Sequence, residues 1–430
     1  MFRWIVVINN PKVIDEVRAL PDSVLSSREA NEEIVQTQFT LGEHISKNGY
    51  HVPGIRTRLT REIPRLVPSI YEEVVVGFKD FIPPTDDWSS IKVLDTMMKI
   101  VARASNRIFI GAPLCRDPDY IDLNVQFTVD VVRAGEILCM VPHALRPFVN
   151  ALFSNVPKRI ECVLKHLAPV FSARRKGREE MGDDYPGKPQ DLLSWLMDVA
   201  KGKETTDWYL TSRILTVNFS AIHTSSMAFT QALFYLAVYP DYMQPLREEV
   251  EDVIKRYGWC RDALDEMHRV DSFIKESQRL CPISILLLNR ILVKDHIFSD
   301  GTMLPKGTAI AAATPTTHLS SSRYEDPLTF DGFRYVKLKA GHIGAAGTER
   351  KFDMVGVTID SLGFGLGRHA CPGRFFAANE LKIMLAQAVV TYDIKLVEEA
   401  RGVRPPDLWV SMACVPNPTA QVLFRKRAAA

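Results

Sequence analysis

The chain has 430 residues, 53 lysines and arginines against 51 acidic residues, a formal net charge of +2 and 46% hydrophobic residues. That is the profile of a globular protein with a large core, and the near-neutral balance argues against nucleic acid as a partner. No Gly/Ser linker, repeat or low-complexity tract divides the chain, so it reads as one domain over 1–430.

The first element is the apolar run Met1–Asn9, too short to span a bilayer and read as a buried strand. Within Gly54–Leu66, Arg58, Arg61 and Arg65 recur at i, i+3, i+7 and share a helical face, the usual pattern of a solvated surface. Pro186-Gly187-Lys188-Pro189 reads as a loop between helices. Ile214–Pro240 carries no Asp, Glu, Lys or Arg, yet Asn218, Ser220, His223, Thr224, Ser225, Ser226, Thr230 and Gln231 are more polar groups than a lipid-facing helix carries. It reads as a helix through the middle of a large protein.

Glu276 and Arg279 stand at i, i+3 on one helical face, and Phe273, Ile274, Ser277 and Leu280 place much of that helix in the interior. A β-rich stretch, Ile283–Leu288, leads to Arg290. The tail Ala428–Ala430 reads as frayed. The seven cysteines, at 115, 139, 162, 260, 281, 371 and 414, are scattered without CxxC spacing. They argue against zinc and for a reducing compartment, with most of them acting as small buried hydrophobes.

Cys371 lies in Phe364-Gly365-Leu366-Gly367-Arg368-His369-Ala370-Cys371-Pro372-Gly373-Arg374. Glycines 363, 365 and 367 allow tight or left-handed backbone, and Gly373 removes a side chain where a flat ligand could approach. Ala377, Leu381, Met384, Leu385 and Ala388 then recur as in an amphipathic helix. A cysteine at a helix N-terminus is expected to have its pKa lowered by the free N–H groups and the helix dipole, and such a soft thiolate suits iron.

Phe364, Gly365, Gly367, His369, Cys371 and Gly373 at this spacing resemble the cysteine-ligand loop of the cytochrome P450 family, the haem-thiolate monooxygenases. The resemblance implies a mainly α fold with small β-sheets, one compact unit around a buried haem b. It makes the Cys371 thiolate the axial iron ligand, and places His369 where the family has a basic residue on a haem propionate. Phe364, Gly365 and Gly373 belong to the same cofactor-binding loop, and Arg290 resembles the arginine that pairs with a propionate. Arg334, in Phe330–Tyr335, matches an arginine that joins Glu276 and Arg279 in a buried structural network. Gly332 stands where the family often has proline, which suggests a looser turn.

On the distal side the family has a small residue, an acid and a threonine on a helix above the haem. Thr224 matches the threonine, and His223 replaces the acid, as in several fungal relatives. Histidine can shuttle protons near neutral pH, so both residues are candidate proton-delivery groups. Val101–Arg107 and Tyr239–Glu249 look like helices of fungal secondary-metabolite members.

The implied reaction inserts one oxygen atom from O2 into a C–H or C=C bond. Electrons come from NADPH through NADPH-cytochrome P450 reductase, with cytochrome b5 as a further donor, and a basic surface on the cysteine side receives the donor. Phe219, Leu286, Leu287, Leu288, Val410 and Met412 suggest an apolar substrate, a terpenoid first and an indole or polyketide derivative second. Two alternatives stay open: a haem-thiolate isomerase or dehydratase that needs no reductase, and a truncated relative without haem. Eukaryotic members begin with a membrane anchor, a proline-rich hinge and further strand and helix; this chain reads as starting inside the first sheet. The family's place is the cytosolic face of the endoplasmic reticulum membrane, and a chain without the anchor is expected to be soluble.

Overall fold

A computed structural model describes residues 4–342, 351–400 and 402–428. The principal helices are α1 (Pro11–Ala19), α2 (Thr60–Phe81), α3 (Val93–Phe109), α4 (Pro118–Cys139), α5 (Val156–Met181), α6 (Leu192–Val199), α7 (Asp207–Val238), α8 (Met243–Tyr257), α9 (His268–Leu280) and α10 (Arg374–Thr391). The main strands are β1 (Ile5–Ile8), β2 (Leu25–Ser26), β3 (Ser89–Lys92), β4 (Leu286–Leu292), β5 (Ala309–Ala313), β6 (Tyr392–Leu396), β7 (Leu408–Val410), β8 (Ala413–Val415) and β9 (Gln421–Lys426). The fold is mainly helical with small sheets, as the sequence implied.

Compact packing divides the chain into two units, one comprising residues 31–73 and 98–223, the other residues 2–30, 74–97 and 224–430. In the first unit α4 packs on α5. Tyr120, Phe127 and Leu138 of α4 and Val163, Leu167 and Phe171 of α5 are buried. Asp117 caps α4, its carboxylate accepting from the Asp119 and Tyr120 amides. Asp191 caps α6 and also pairs with buried Arg174 at 2.6 Å. The loop 186–189 lies between α5 and α6.

Arg58 lies in a π-helical turn, Gly54–Leu59, that runs without a break into α2, where Arg61 and Arg65 lie. Arg58 reaches Asp198 at 3.5 Å and stacks on Trp195, while Arg65 pairs with Glu62 at 3.0 Å and donates to the Gln190 carbonyl. Arg61 is exposed.

In the second unit the largest sheet has strand order β1-β5-β4-β2, with β1 parallel to β5 and the other pairs antiparallel. β1 is therefore an edge strand, not the buried one its apolar run suggested. Trp4 is 91% exposed, and Ile5 and Val7 also face outward, while only Ile8 is buried. An edge pairs on one side only, and strand alternation turns every second residue to solvent. Met1–Arg3 lie outside the described residues, as do Ala429 and Ala430 of the tail.

Asn10 caps α1 by accepting from the Lys12 amide, Pro11 supplies a preset first-turn φ, and Val13, Ile14 and Val17 enter a core with Leu288, Leu292, Ile310 and Leu366. β4 carries a bulge between Leu287 and Arg290, where Leu288 takes φ +55°. The extra residue turns Leu288 into the core and re-aims the strand at Arg290.

α10 is buried around almost its whole circumference from Phe376 to Val389, which corrects the amphipathic reading. Helices α8 and α9 both pack on it, and even Glu380 and Lys382 are buried there. The uncharged stretch of α7 forms a single helix whose polar side chains Asn218, Ser225, Ser226, Thr230 and Gln231 are buried. Among the described residues no helix is long and apolar enough to cross a membrane. All seven cysteines are free, but only Cys115, Cys281 and Cys414 are buried; Cys139 and Cys162 sit on exposed faces of α4 and α5.

Candidate cysteine-ligand site

The segment before α10 is a chain of tight turns. The Gly365 amide donates to the Leu362 carbonyl at 2.7 Å, and the Cys371 amide donates to the Phe364 carbonyl at 2.8 Å. Gly365 at φ +73° and Gly367 at φ +67° occupy the left-handed region, and Gly363 lies in a turn, as the tight or left-handed backbone expected there allows. Gly367 is also a close approach, since a Cβ there would lie 2.5 Å from Arg18 Cγ and 2.9 Å from the Arg18 carbonyl. That contact seats the loop on the end of α1, where Arg368 donates to the free carbonyls of Ala19 and Leu20 at 2.9 and 2.8 Å.

Cys371 is half-buried, two residues before the Gly373 N-cap of α10. Burial pushes its thiol above the ordinary value, against the Gly373 amide and the Arg374 charge, which pull it down. The lowering expected from the helix terminus is thus outweighed by desolvation in the metal-free chain. A cation at the sulfur reverses that balance, because it replaces the solvation the thiolate has lost.

Around the loop lies an excess of positive charge. Arg290 is buried, and its Nη1 donates to the carbonyl of Asn289 at 2.8 Å. Burial lowers its pKa and neighbouring Arg368 lowers it further, while Asp22 acts in the opposite direction. Asp22 is itself engaged by His369 Nε2 at 2.7 Å. No carboxylate forms an ion pair with Arg290 among the described residues. A buried guanidinium with a fork of donors and no carboxylate suits an anionic oxygen pair. With a lone thiol on a helix-capping loop, this donor set fits haem.

Behind the loop, Glu276 is fully buried between two arginines. Arg279 donates to it through Nε at 2.8 Å and Nη2 at 2.7 Å, and Arg334 through Nε at 3.0 Å. Both arginines then splay onto carbonyls, Arg279 to His318 and Pro327, Arg334 to Glu325 and Thr329. The turn at Gly332 is tight, not loose. A Cβ there would lie 2.7 Å from Phe273 and 2.9 Å from Tyr242, and its amide donates to the Tyr242 hydroxyl. A proline would lose that bond and collide with both rings.

Sequence reasoning passed over His318 and Lys275. The Leu362 amide donates to His318 Nε2 at 2.9 Å, so His318 links the Arg279 network to the cysteine loop. Lys275 is buried and donates to the carbonyls of Lys351, Phe352 and Asp353, holding the segment that leads toward the loop. Its place beside Glu276 was the one available signal; nothing local marks His318.

Burial holds the His318 imidazole down to about 3, against an ordinary value of 6.5. Between those values the unfolded chain binds a proton that the folded chain refuses. Stability is therefore unaffected by this group above pH 6.5 and falls as pH drops toward 3, by at most about 1.4 kcal/mol per pH unit. His318→Gln keeps an acceptor and cannot titrate. It is expected to flatten the acid side of a plot of melting temperature against pH; superimposable slopes would remove His318 as the cause.

On α7, Thr224 is half-buried, and His223 places Nε2 3.1 Å from the Val125 carbonyl of α4. Burial lowers the His223 pKa, and the carbonyl bond opposes that. Leu286 and Leu287 are half-buried, Phe219 and Met412 likewise, and Val410 is exposed. The Ile285 amide donates to the Met412 carbonyl at 2.9 Å, so the β7–β8 hairpin is tied to the strand before Arg290.

A helical fold with small sheets and a cysteine on a glycine loop capping a buried helix define a haem-thiolate protein class. The cytochrome P450 family model matches residues 1–424, and the chain belongs to that family of monooxygenases. It is 38% identical over 428 residues to cytochrome P450 monooxygenase 151 of Postia placenta, covering 99% of this chain and 85% of that relative. Identity is 40% over 429 residues to cytochrome P450 monooxygenase 110 of the same fungus, covering 99% and 84%. It is 33% over 430 residues to cytochrome P450 monooxygenase CYP512U6 of Ganoderma lucidum, covering 99% and 82%.

Proposed function

We propose that this chain inserts one oxygen atom from O2 into an apolar secondary metabolite, a terpenoid first, with electrons from NADPH through a P450 reductase. The observation that carries the reading is the pairing of a free Cys371 thiol on the helix-capping loop with buried Arg290, which forms no ion pair with a carboxylate among the described residues. Haem bound there supplies the oxygen-activating chemistry, with the thiolate favouring O–O cleavage.

The chain's own groups do the rest. Cys371 sulfur would hold the haem iron, and Arg290 would pair with a propionate. His369 fixes Asp22, so that this carboxylate does not neutralise Arg290. Glu276, Arg279 and Arg334 hold the loop's backing rigid. The Thr224 hydroxyl passes protons, and His223, neutral at its carbonyl partner, is the group beside it that can supply them. Half-buried Leu286 and Leu287 favour an apolar substrate. By family, the protein works at the cytosolic face of the endoplasmic reticulum, where its reductase resides.

The test is incubation of the haem-loaded enzyme with a fungal reductase, NADPH, isotope-labelled O2 and a panel of terpenoids, read by mass spectrometry. Labelled product that requires NADPH is the expected result. Product formed equally without NADPH and reductase would move the function to rearrangement or dehydration. Unlabelled product would sink the monooxygenation step.

A further inference from the structure

Gln231 lies seven residues beyond Thr224, two turns along α7 and on the same helical face. It is buried, and the proposed reaction gives it no part. Its Nε2 donates to Asp407 Oδ1 at 2.7 Å, and its Oε1 accepts from Arg404 Nη1 at 2.7 Å. Arg404 closes the ring on Asp407, donating through Nη1 to Oδ1 at 3.1 Å and through Nη2 to Oδ2 at 2.5 Å. Burial pushes the Asp407 carboxyl up, but the bonds from Arg404 and Gln231 hold it below the ordinary carboxylate value. Tyr235, one turn beyond Gln231, lies under the Arg404 guanidinium, 5.3 Å from ring centre to carbon. A primary amide both gives and accepts, so Gln231 can bond the two members of this ion pair at once.

Asp407 is the residue before β7. Strands β7 and β8 form a hairpin of three residues a side, turned at Ser411 and Met412. Leu408, Trp409 and Val410 of β7 are exposed, and a two-stranded hairpin is marginal on its own. Its position is therefore set by its ties. β8 is tied to the segment leading to Arg290, where the Cys414 amide donates to the Ile283 carbonyl at 3.0 Å and the Ile285 amide to the Met412 carbonyl at 2.9 Å. The start of β7 is tied at Asp407 to α7. The helix that carries Thr224 and the strand that carries Arg290 thus each hold one arm of the hairpin.

We propose that Gln231, Asp407 and Arg404 form a clamp that fixes the β7–β8 hairpin relative to α7 and so sets which shapes of apolar molecule the haem pocket admits. All three are positioning residues that act through the hairpin. The inference rests on the reading of Cys371 and Arg290 as a haem site. A buried ion pair is a weak source of stability, because desolvation offsets most of its attraction. Its directed bonds fix a geometry that an apolar replacement would not reproduce.

The haem-loaded enzyme is titrated with imidazole and with 4-phenylimidazole, each of which binds haem iron through a ring nitrogen and shifts the Soret band. Imidazole reports the iron alone, and the added phenyl ring reports the walls around it. Wild type, Asp407→Ala and Gln231→Leu are compared; Gln231→Leu cuts the tie to α7 and leaves the Arg404–Asp407 pair in place. Both variants should weaken 4-phenylimidazole binding about tenfold with the Kd of imidazole unchanged. Hydrogen exchange at the Ile285 and Cys414 amides should speed up in both. An unchanged Kd of 4-phenylimidazole in Gln231→Leu, or an equal loss for the two imidazoles, overturns the inference and leaves the proposed function standing. A wild type whose Soret band does not move with imidazole overturns the haem reading, and the specificity role with it.

Discussion

Cys371→Ala is expected to abolish the red-shifted Soret band of the reduced, carbon-monoxide-bound protein completely, along with all turnover. None of the three buried cysteines can stand in for it. Cys115 and Cys281 are buried, and burial pushes their thiols up to about 12 and about 11, while burial also drives Cys414 upward. The thiolate is the ligand, and a thiol so far from ionising in an apolar setting offers none. Cys371 too is raised by burial, but the Gly373 amide and the Arg374 charge face its sulfur. These groups stabilise the anion once iron is present. Alanine removes only the sulfur from a half-buried position, so the melting temperature of the haem-free chain should move little. A retained red-shifted band in the variant would take the iron away from Cys371. A spectrum without haem in the wild type would show that this chain does not assemble the site.

Glu276→Ala should be the most destabilising single change in the second unit. The carboxylate is fully buried and answers Arg279 and Arg334 and the Asp331 amide at once. Removing it leaves two buried guanidinium groups facing only carbonyls. Breaking a buried ion pair from one side costs about 3–5 kcal/mol, against a total stability of about 5–15 kcal/mol for a typical domain. Because Arg279 also holds His318, and His318 holds the Leu362 amide, the loss falls on the cysteine loop. Haem content of the purified protein should fall more than about tenfold. Glu276→Gln keeps the shape but not the charge, and should lie between. If Glu276→Ala purifies with full haem and an unchanged melting temperature, the network does not support the loop.

Several elements were legible locally. Glu276 and Arg279 stand three apart, and any helix brings them together. The spacing of Gly365, Gly367 and Cys371 announces a turn, because left-handed backbone favours glycine. Elsewhere local pattern and outcome diverged. β1 looked buried because it is apolar, and it lies exposed because it is an edge. α10 looked two-faced, yet α8 and α9 cover it on more than one side. The Gly332 turn looked loose for want of proline, yet Tyr242 and Phe273 leave no space for a Cβ.

The sequence by itself determined the class of chemistry, since a cysteine on a glycine turn ahead of a helix is a local pattern that any fold must present in much the same way. It also determined the helical character of α7, whose uncharged run suits an interior helix. Tertiary structure alone decided the electrostatics of the site. Whether the Cys371 thiol is raised or lowered depends on how much water packing removes. Whether Arg290 is free for an anion depends on Asp22 being taken by His369, a residue 347 positions away. The link from Arg279 through His318 to Leu362 and the bond from His223 to Val125 likewise join residues far apart in the chain. Such contacts arise from packing, and no local spacing encodes them.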